Sequence, residues 1–306
     1  MTTLAALADR VAAGGMLTRE DAAVVLGSHD LITIGMMGDA VRRQMHGAQT
    51  TFGRVFEVHV EAVPAALPPD VQAGELRIVG RPASADAAYS AVRAARRIAG
   101  PLPLSGFSLV DLLALQSDAA EVYARLRSEG LDAVAEVPLD LLADAGAAVA
   151  APRAAGLLTP RLVVEQSSSE PLPLLERAVR AQDACGAFCA VAPLPRVVSP
   201  LAPSTGYDDV KTVALARLVV RNIRSIQVDW TLYGPKLAQV ALTVGADDVD
   251  GVAAVEAGAL GHRRSALEEI RRNIRAAGLA PVERDGRYET VVTAGDASAA
   301  ATRASR

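Results

Sequence analysis

Hydrophobic and polar positions change rhythm once along this chain. Residues 3–13, 19–27 and 36–46 place apolar side chains at helical spacing, and Thr18 with Asp21 three positions on forms a capping-box signature for the second helix. After Gly53 short apolar runs alternate with longer amphipathic ones. The runs at 55–63, 75–80, 102–107, 131–137, 160–166, 186–192, 225–231 and 238–244 predict strands. Helices are predicted between most of them, at 84–99, 109–128, 139–150, 171–183, 208–222 and 264–277. The last puts Leu267, Ile270 and Ile274 on one face and stops at Gly278. Eight strands with mostly helical connections predict an α/β fold, a closed (βα)8 TIM-type barrel with an N-terminal helical cap. An open Rossmann-like sheet is the alternative, but no G-x-G-x-x-G follows the first strand. The expected divisions are a cap over 1–53, a barrel over 54–291 and a disordered tail over 292–306, whose AGDASAAATRASR is small, polar and aperiodic.

Composition narrows the partners. A net charge of −4 leaves no broad basic footprint, which argues against nucleic acid. No 18-residue uncharged apolar run is present, so no membrane span is expected. The start, MTTLAALADRVAAGG, has Asp9 and Arg10 inside its apolar run and lacks a basic leader, which points to the cytoplasm. Aromatic residues make up only 3% of the chain, leaving Ala, Val and Leu to fill the core.

The alternation E-V-H-V-E puts Glu57, His59 and Glu61 on one face of the first predicted strand. With Val58 and Val60 facing the helices, the three ionisable groups would face the barrel interior. Two readings stay open there. They form an acid–base or metal-binding group, or they line a solvated edge and pair with arginines. Further polar residues fall near predicted C-terminal strand ends, where barrel sites gather: Arg81, Glu136, Glu165, Gln166, Gln227, Asp229, Asp247 and Asp250. They are the candidate ligand-binding residues for a small polar ligand in the barrel mouth. Asp247, Asp248 and Asp250 could hold a cation or form a solvated acidic loop. Ser167–Ser169 follow a strand end without G-x-S-x-G, and His29, His46, His59 and His262 show no metal spacing.

Several segments in succession carry a resemblance. They are ADRVAAGGMLTREDAAVVL, GDAVRRQMHGAQTTFGR, ELRIVG, GFSLVDLLAL, RSEGLDAVAE, LLERAVRAQDACGAFCAVAPLP and, most clearly, KTVALARLVVRNIRSIQVDWTLYGPKLAQVALTVGADDVDG over 211–251. The chain resembles the radical-SAM enzymes of the futalosine route to menaquinone, namely aminofutalosine synthase and dehypoxanthine futalosine cyclase, and their deazaflavin-synthase relatives. The resemblance implies a barrel, a [4Fe–4S] cluster on Cys-x3-Cys-x2-Cys, and cleavage of S-adenosylmethionine. It also implies a partner in menaquinone synthesis. The sequence departs from the family after Thr51–Arg54, where VFEVHVEAVPAALPPDVQAGELRIVG contains no cysteine. The only two cysteines are Cys185 and Cys189, and Ala192 stands where a third would fall. In GADDVDGV, Asp247 replaces the family's Asn and Val252 its Thr. The expectation is therefore a cluster-less homologue with no bound [4Fe–4S] or S-adenosylmethionine, acting as a binding or partner protein. A non-radical enzyme built on Glu57, His59 and Glu61 is the alternative; an active aminofutalosine synthase conflicts with the missing thiolates.

Overall fold

The computed structural model describes residues 3–115, 118–166, 170–197, 205–255 and 266–291. Three helices come first: α1 (Leu4–Ala12), α2 (Arg19–Gly27) and α3 (Leu31–His46). The strands are β1 (Gln49–His59), β2 (Glu75–Val79), β3 (Leu104–Ser108), β4 (Ala133–Pro138), β5 (Arg161–Gln166), β6 (Ala190–Val197), β7 (Ser225–Asp229), β8 (Asp248–Ala253) and β9 (Ala280–Arg284). Between them run α4 (Ala85–Ala99), α5 (Leu109–Leu113), α6 (Ala119–Glu129), α7 (Ala145–Ala148), α8 (Ala150–Ala154), α9 (Pro171–Cys185), α10 (Gly206–Val219), α11 (Trp230–Leu242) and α12 (Ala266–Ala276).

Strands β1 to β8 pair in parallel in sequence order, and β8 pairs back to β1, so the sheet closes into the expected α/β barrel. The open-sheet alternative is excluded. Strand β1 is long enough to serve three neighbours. Its upper half, Val55–His59, pairs with β2, while its lower half, Gln49–Gly53, pairs with β9. Its register on β8 shifts between Phe52 and Arg54. At that irregularity a Cβ on Gly53 would lie 2.7 Å from the Arg284 guanidinium, so glycine there admits Arg284 into the barrel. The N-terminal ends of the strands thus form a floor sealed by β9, and their C-terminal ends form a mouth.

The cap is fastened to the barrel by apolar packing. Leu7, Val11, Val25, Ile34, Met37 and Val41 are all buried, each worth about 1.5–3 kcal/mol on full burial. Helix α3 reaches the barrel through Gly35 and Gly38, which lie against Val244; a Cβ at Gly38 would overlap the Val244 carbonyl. Helix α2 starts on the Thr18–Asp21 capping box expected from the sequence.

Several boundaries differ from expectation. Residues 238–244 are not a strand: they end α11, burying Ala238, Ala241 and Leu242 at helical spacing while Val240 faces solvent. The eighth strand is the acidic stretch Asp248–Ala253, and β9 has no counterpart among the predicted strands. Hydrophobicity misleads here because the inward side chains of β8 are carboxylates neutralised by arginines from other strands. The expected division at 53/54 falls inside β1, which begins at Gln49. The helix expected over 109–128 is two helices, and that over 139–150 is replaced by the short α7 and α8. The tail expected over 292–306 lies outside the described residues, as do Ser167–Ser169 and His262.

Candidate functional site

The bore of the barrel is filled by charge rather than by aliphatic side chains. Alternation on β2 points Glu75 and Arg77 inward, and β5 contributes Arg161, β8 Asp248 and Asp250, β9 Arg284; all six are buried. Asp250 is the hub. It accepts from Arg77 Nη1 at 2.8 Å, from Arg284 Nη2 at 3.0 Å and from Arg161. Arg77 also grips Glu75 through Nε at 2.9 Å and Nη2 at 3.0 Å, and Ser105 donates to the same carboxylate. Arg284 reaches both Asp248 oxygens, at 2.8 and 2.7 Å, and its guanidinium lies 4.0 Å from the centre of the Tyr288 ring. Three guanidiniums face three carboxylates, so the bore is electrically balanced.

That balance sets the ionisation states. Burial pushes the Asp250 carboxyl up, but Arg77, Arg161 and Arg284 together hold it well below the ordinary range. Burial raises Asp248 despite the pull of Arg284. Gln227, on β7 opposite Asp248, donates its amide to the Tyr288 hydroxyl at 2.8 Å. Burial raises that phenol, keeping it a neutral hydrogen-bonding group.

Above the bore lies the mouth. Glu136 accepts from Arg161 and Arg196, each at 3.1 Å, and Arg196 approaches Asp229 at 3.6 Å. Asp229 also caps α11, accepting the Thr231 and Leu232 amides at 2.9 Å. Glu57 stands opposite Arg77 in the β1–β2 register and is exposed. Although the residue as a whole is exposed, protein atoms around its carboxyl strip away part of its water, and that desolvation, reinforced by Asp229 and Asp250 and opposed by Arg77 and Arg196, pushes its pKa up. Burial and the neighbouring Glu136 raise Glu165 and Asp111 in the same way, against the pull of Arg196 and Arg81 respectively. Among the described residues the rim therefore carries more carboxylates than the arginines Arg81 and Arg196 offset, and these can accept hydrogen bonds or protons.

The three groups on the first strand do not converge in the interior. Strand β1 ends at His59, so Glu61 sits in the following turn and all three side chains are exposed at the mouth. His59 Nδ1 accepts the Glu61 amide at 3.3 Å, which leaves Nε2 as the protonated nitrogen of the neutral ring. That ring lies over Gly80, where a Cβ would come within 2.7 Å of Nε2. Arg81 is largely exposed and lies 3.5 Å from Asp111. Gln166 is exposed, its amide bound by Asp140 at 2.9 Å.

Asp247, expected at the mouth, lies at the opposite end. It precedes β8 on the floor, where it accepts from Arg217 and, at 2.8 Å, from the Ile226 amide, with His46 Nε2 3.4 Å away. Asp250 and Gln227 belong to the bore and have no exposed face. The acidic run is thus neither a cation site nor a solvated loop: Asp248 and Asp250 are strand residues committed to arginines. Among the described residues no group of three or more His, Cys, Asp or Glu side chains is placed to hold a metal. Sequence reasoning missed Arg77, Arg161, Arg196, Arg284 and Tyr288. Glu75 and Arg77, two apart in ELR, offered a signal that alternation could have caught; Arg284 had none, because its strand was not recognised.

The cysteines are remote from the mouth. Cys185 ends α9, and Cys189 leads into β6, its amide bonded to Pro160 at 2.8 Å and its carbonyl to the Ser225 amide at 3.0 Å. Both contacts are at strand starts, so this pair belongs to the floor. Burial raises the Cys189 thiol. The connection that follows β1, residues 60–74, offers no thiolate. The donor set of a [4Fe–4S] cluster therefore does not fit these residues.

Residues 193–296 match the CofH/MqnC C-terminal region. The aminodeoxyfutalosine synthase of Thermus thermophilus is 34% identical over 140 residues, 41% of this chain and 38% of that protein. The 5-amino-6-(D-ribitylamino)uracil–L-tyrosine 4-hydroxyphenyl transferase of Methanothermobacter thermautotrophicus is 38% identical over 128 residues, 37% of this chain and 35% of that protein. The chain thus spans well under half the length of these curated relatives. Methylornithine synthase (PylB) superposes with a TM-score of 0.61 at 14% identity, covering 90% of this chain and 97% of that one. HydG, a maturase of the [FeFe]-hydrogenase, gives 0.61 at 13%, covering 91% and 75%. At such identities the likeness shows the fold alone. Over part of its length, then, the chain is similar in sequence to the CofH/MqnC C-terminal region and to aminodeoxyfutalosine synthases and 4-hydroxyphenyl transferases.

Proposed function

We propose that this barrel works without radical initiation, as a cluster-less binding or partner protein of the futalosine-type enzymes that receives a small polar ligand at its mouth. The observation that carries this reading is the placement of its thiols. Both cysteines belong to the floor, while the turn after β1 presents Glu61 and no sulfur donor. Reductive cleavage of S-adenosylmethionine needs an iron left open by three thiolates, and the mouth offers carboxylates and an imidazole instead. The aminodeoxyfutalosine synthase relatives support a place beside menaquinone synthesis. The test is anaerobic reconstitution with iron and sulfide, followed by dithionite and S-adenosylmethionine. Protein-bound iron should stay far below one cluster per chain, with no visible charge-transfer band and no 5′-deoxyadenosine. Stoichiometric iron and sulfide with release of 5′-deoxyadenosine would overturn the proposal.

A second reading, a non-radical enzyme that transfers protons at the mouth, is favoured by one observation. Glu57 and Glu165 are carboxyls with raised pKa values in the mouth, a property suited to general acid–base chemistry. Turnover of a polar substrate that Glu57→Gln abolishes without loss of fold would select it over the binding role.

A further inference from the structure

We draw no further inference here: the strongest candidate, the hollow of about 700 Å³ between the N-terminus of α4 and the end of α5, is lined by Arg81, Ser84, Asp86 and Leu115 and rests on a helix N-terminus beside one exposed arginine, with none of its lining side chains both buried and unpartnered.

Discussion

Replacing Asp250 by asparagine tests whether the bore is held together by charge. The substitution preserves shape, so it leaves no cavity, and it removes one negative charge from a group shared by Arg77, Arg161 and Arg284. Glu75 and Asp248 would then face three buried guanidiniums, leaving one positive charge uncompensated. Breaking a buried ion pair from one side costs about 3–5 kcal/mol, and here a single carboxylate serves three partners. The loss should therefore be at least about 3 kcal/mol, a large share of the roughly 5–15 kcal/mol that stabilises a typical domain. Urea unfolding followed by circular dichroism measures it, with Trp230, the chain's single tryptophan, reporting from the start of α11. Because the arginines hold the Asp250 carboxyl low against its burial, its contribution is present above the unfolded pKa, near about 3.9, and is lost as pH falls through the folded value. The deficit of the variant should be complete at neutral pH and narrow only in acid. Adding Arg161→Gln restores charge balance and should recover about 0.5–3 kcal/mol, the usual range of coupling between contacting residues. A loss below about 1 kcal/mol for Asp250→Asn at neutral pH, with an unchanged denaturant slope, would refute the reasoning.

Three other outcomes are expected. Gly38→Ala drives a methyl into the Val244 carbonyl, so α3 must shift. The cost should be about 1–3 kcal/mol or more, and limited proteolysis should cut first within the cap; a protease pattern like that of the parent would contradict the packing. Gly80→Ala meets both a positive φ of 92° and the His59 ring. It should cost about 1–2 kcal/mol from backbone strain alone and move the His59 ring resonances in NMR spectra, whereas unchanged resonances would show that the ring does not rest there. Glu57→Gln should stabilise the protein at neutral pH. A raised folded pKa contributes stability below the unfolded value, about 4.3, which is lost as pH rises; thermal unfolding of parent and variant should coincide in acid and diverge with pH, and the opposite divergence would mean the carboxylate is paired.

The barrel was legible because its strands are short apolar runs bounded by helices, and the first seven strands fall within or beside the predicted runs. What failed has a common cause. AQVALTV looks like a strand by composition, yet Ala238, Ala241 and Leu242 share one side of a helix. GADDVDGV looks like a loop, yet Val249 and Val252 are buried in the apolar core while Asp248 and Asp250 turn to arginines in the bore. Pattern rules read an inward polar residue as exposed, since burying a lone charge is costly; they do not see partners that arrive from β2, β5 and β9. The same blindness scattered the candidate site. Glu136, Glu165 and Asp229 stand at the C-terminal ends of β4, β5 and β7, but strand-end position could not separate Asp247, which precedes β8, from Asp250 three residues on.

The division between bore and rim also bears on what the mouth can do. Each of the six charged groups described in the bore is engaged by an opposite charge, Glu75 by Arg77 on its own strand and the others across strands. Arg196 is held between those two carboxylates, and Arg81 faces Asp111. Chemistry or recognition at this end of the barrel therefore falls to groups not held in ion pairs, with Glu57 foremost, and to His59, whose Nδ1 is occupied by the Glu61 amide. The segment that matches the CofH/MqnC C-terminal region supplies Asp229, Asp248, Asp250 and Arg284, and the last three tie β8 and β9 to β2 and β5 through buried ion pairs.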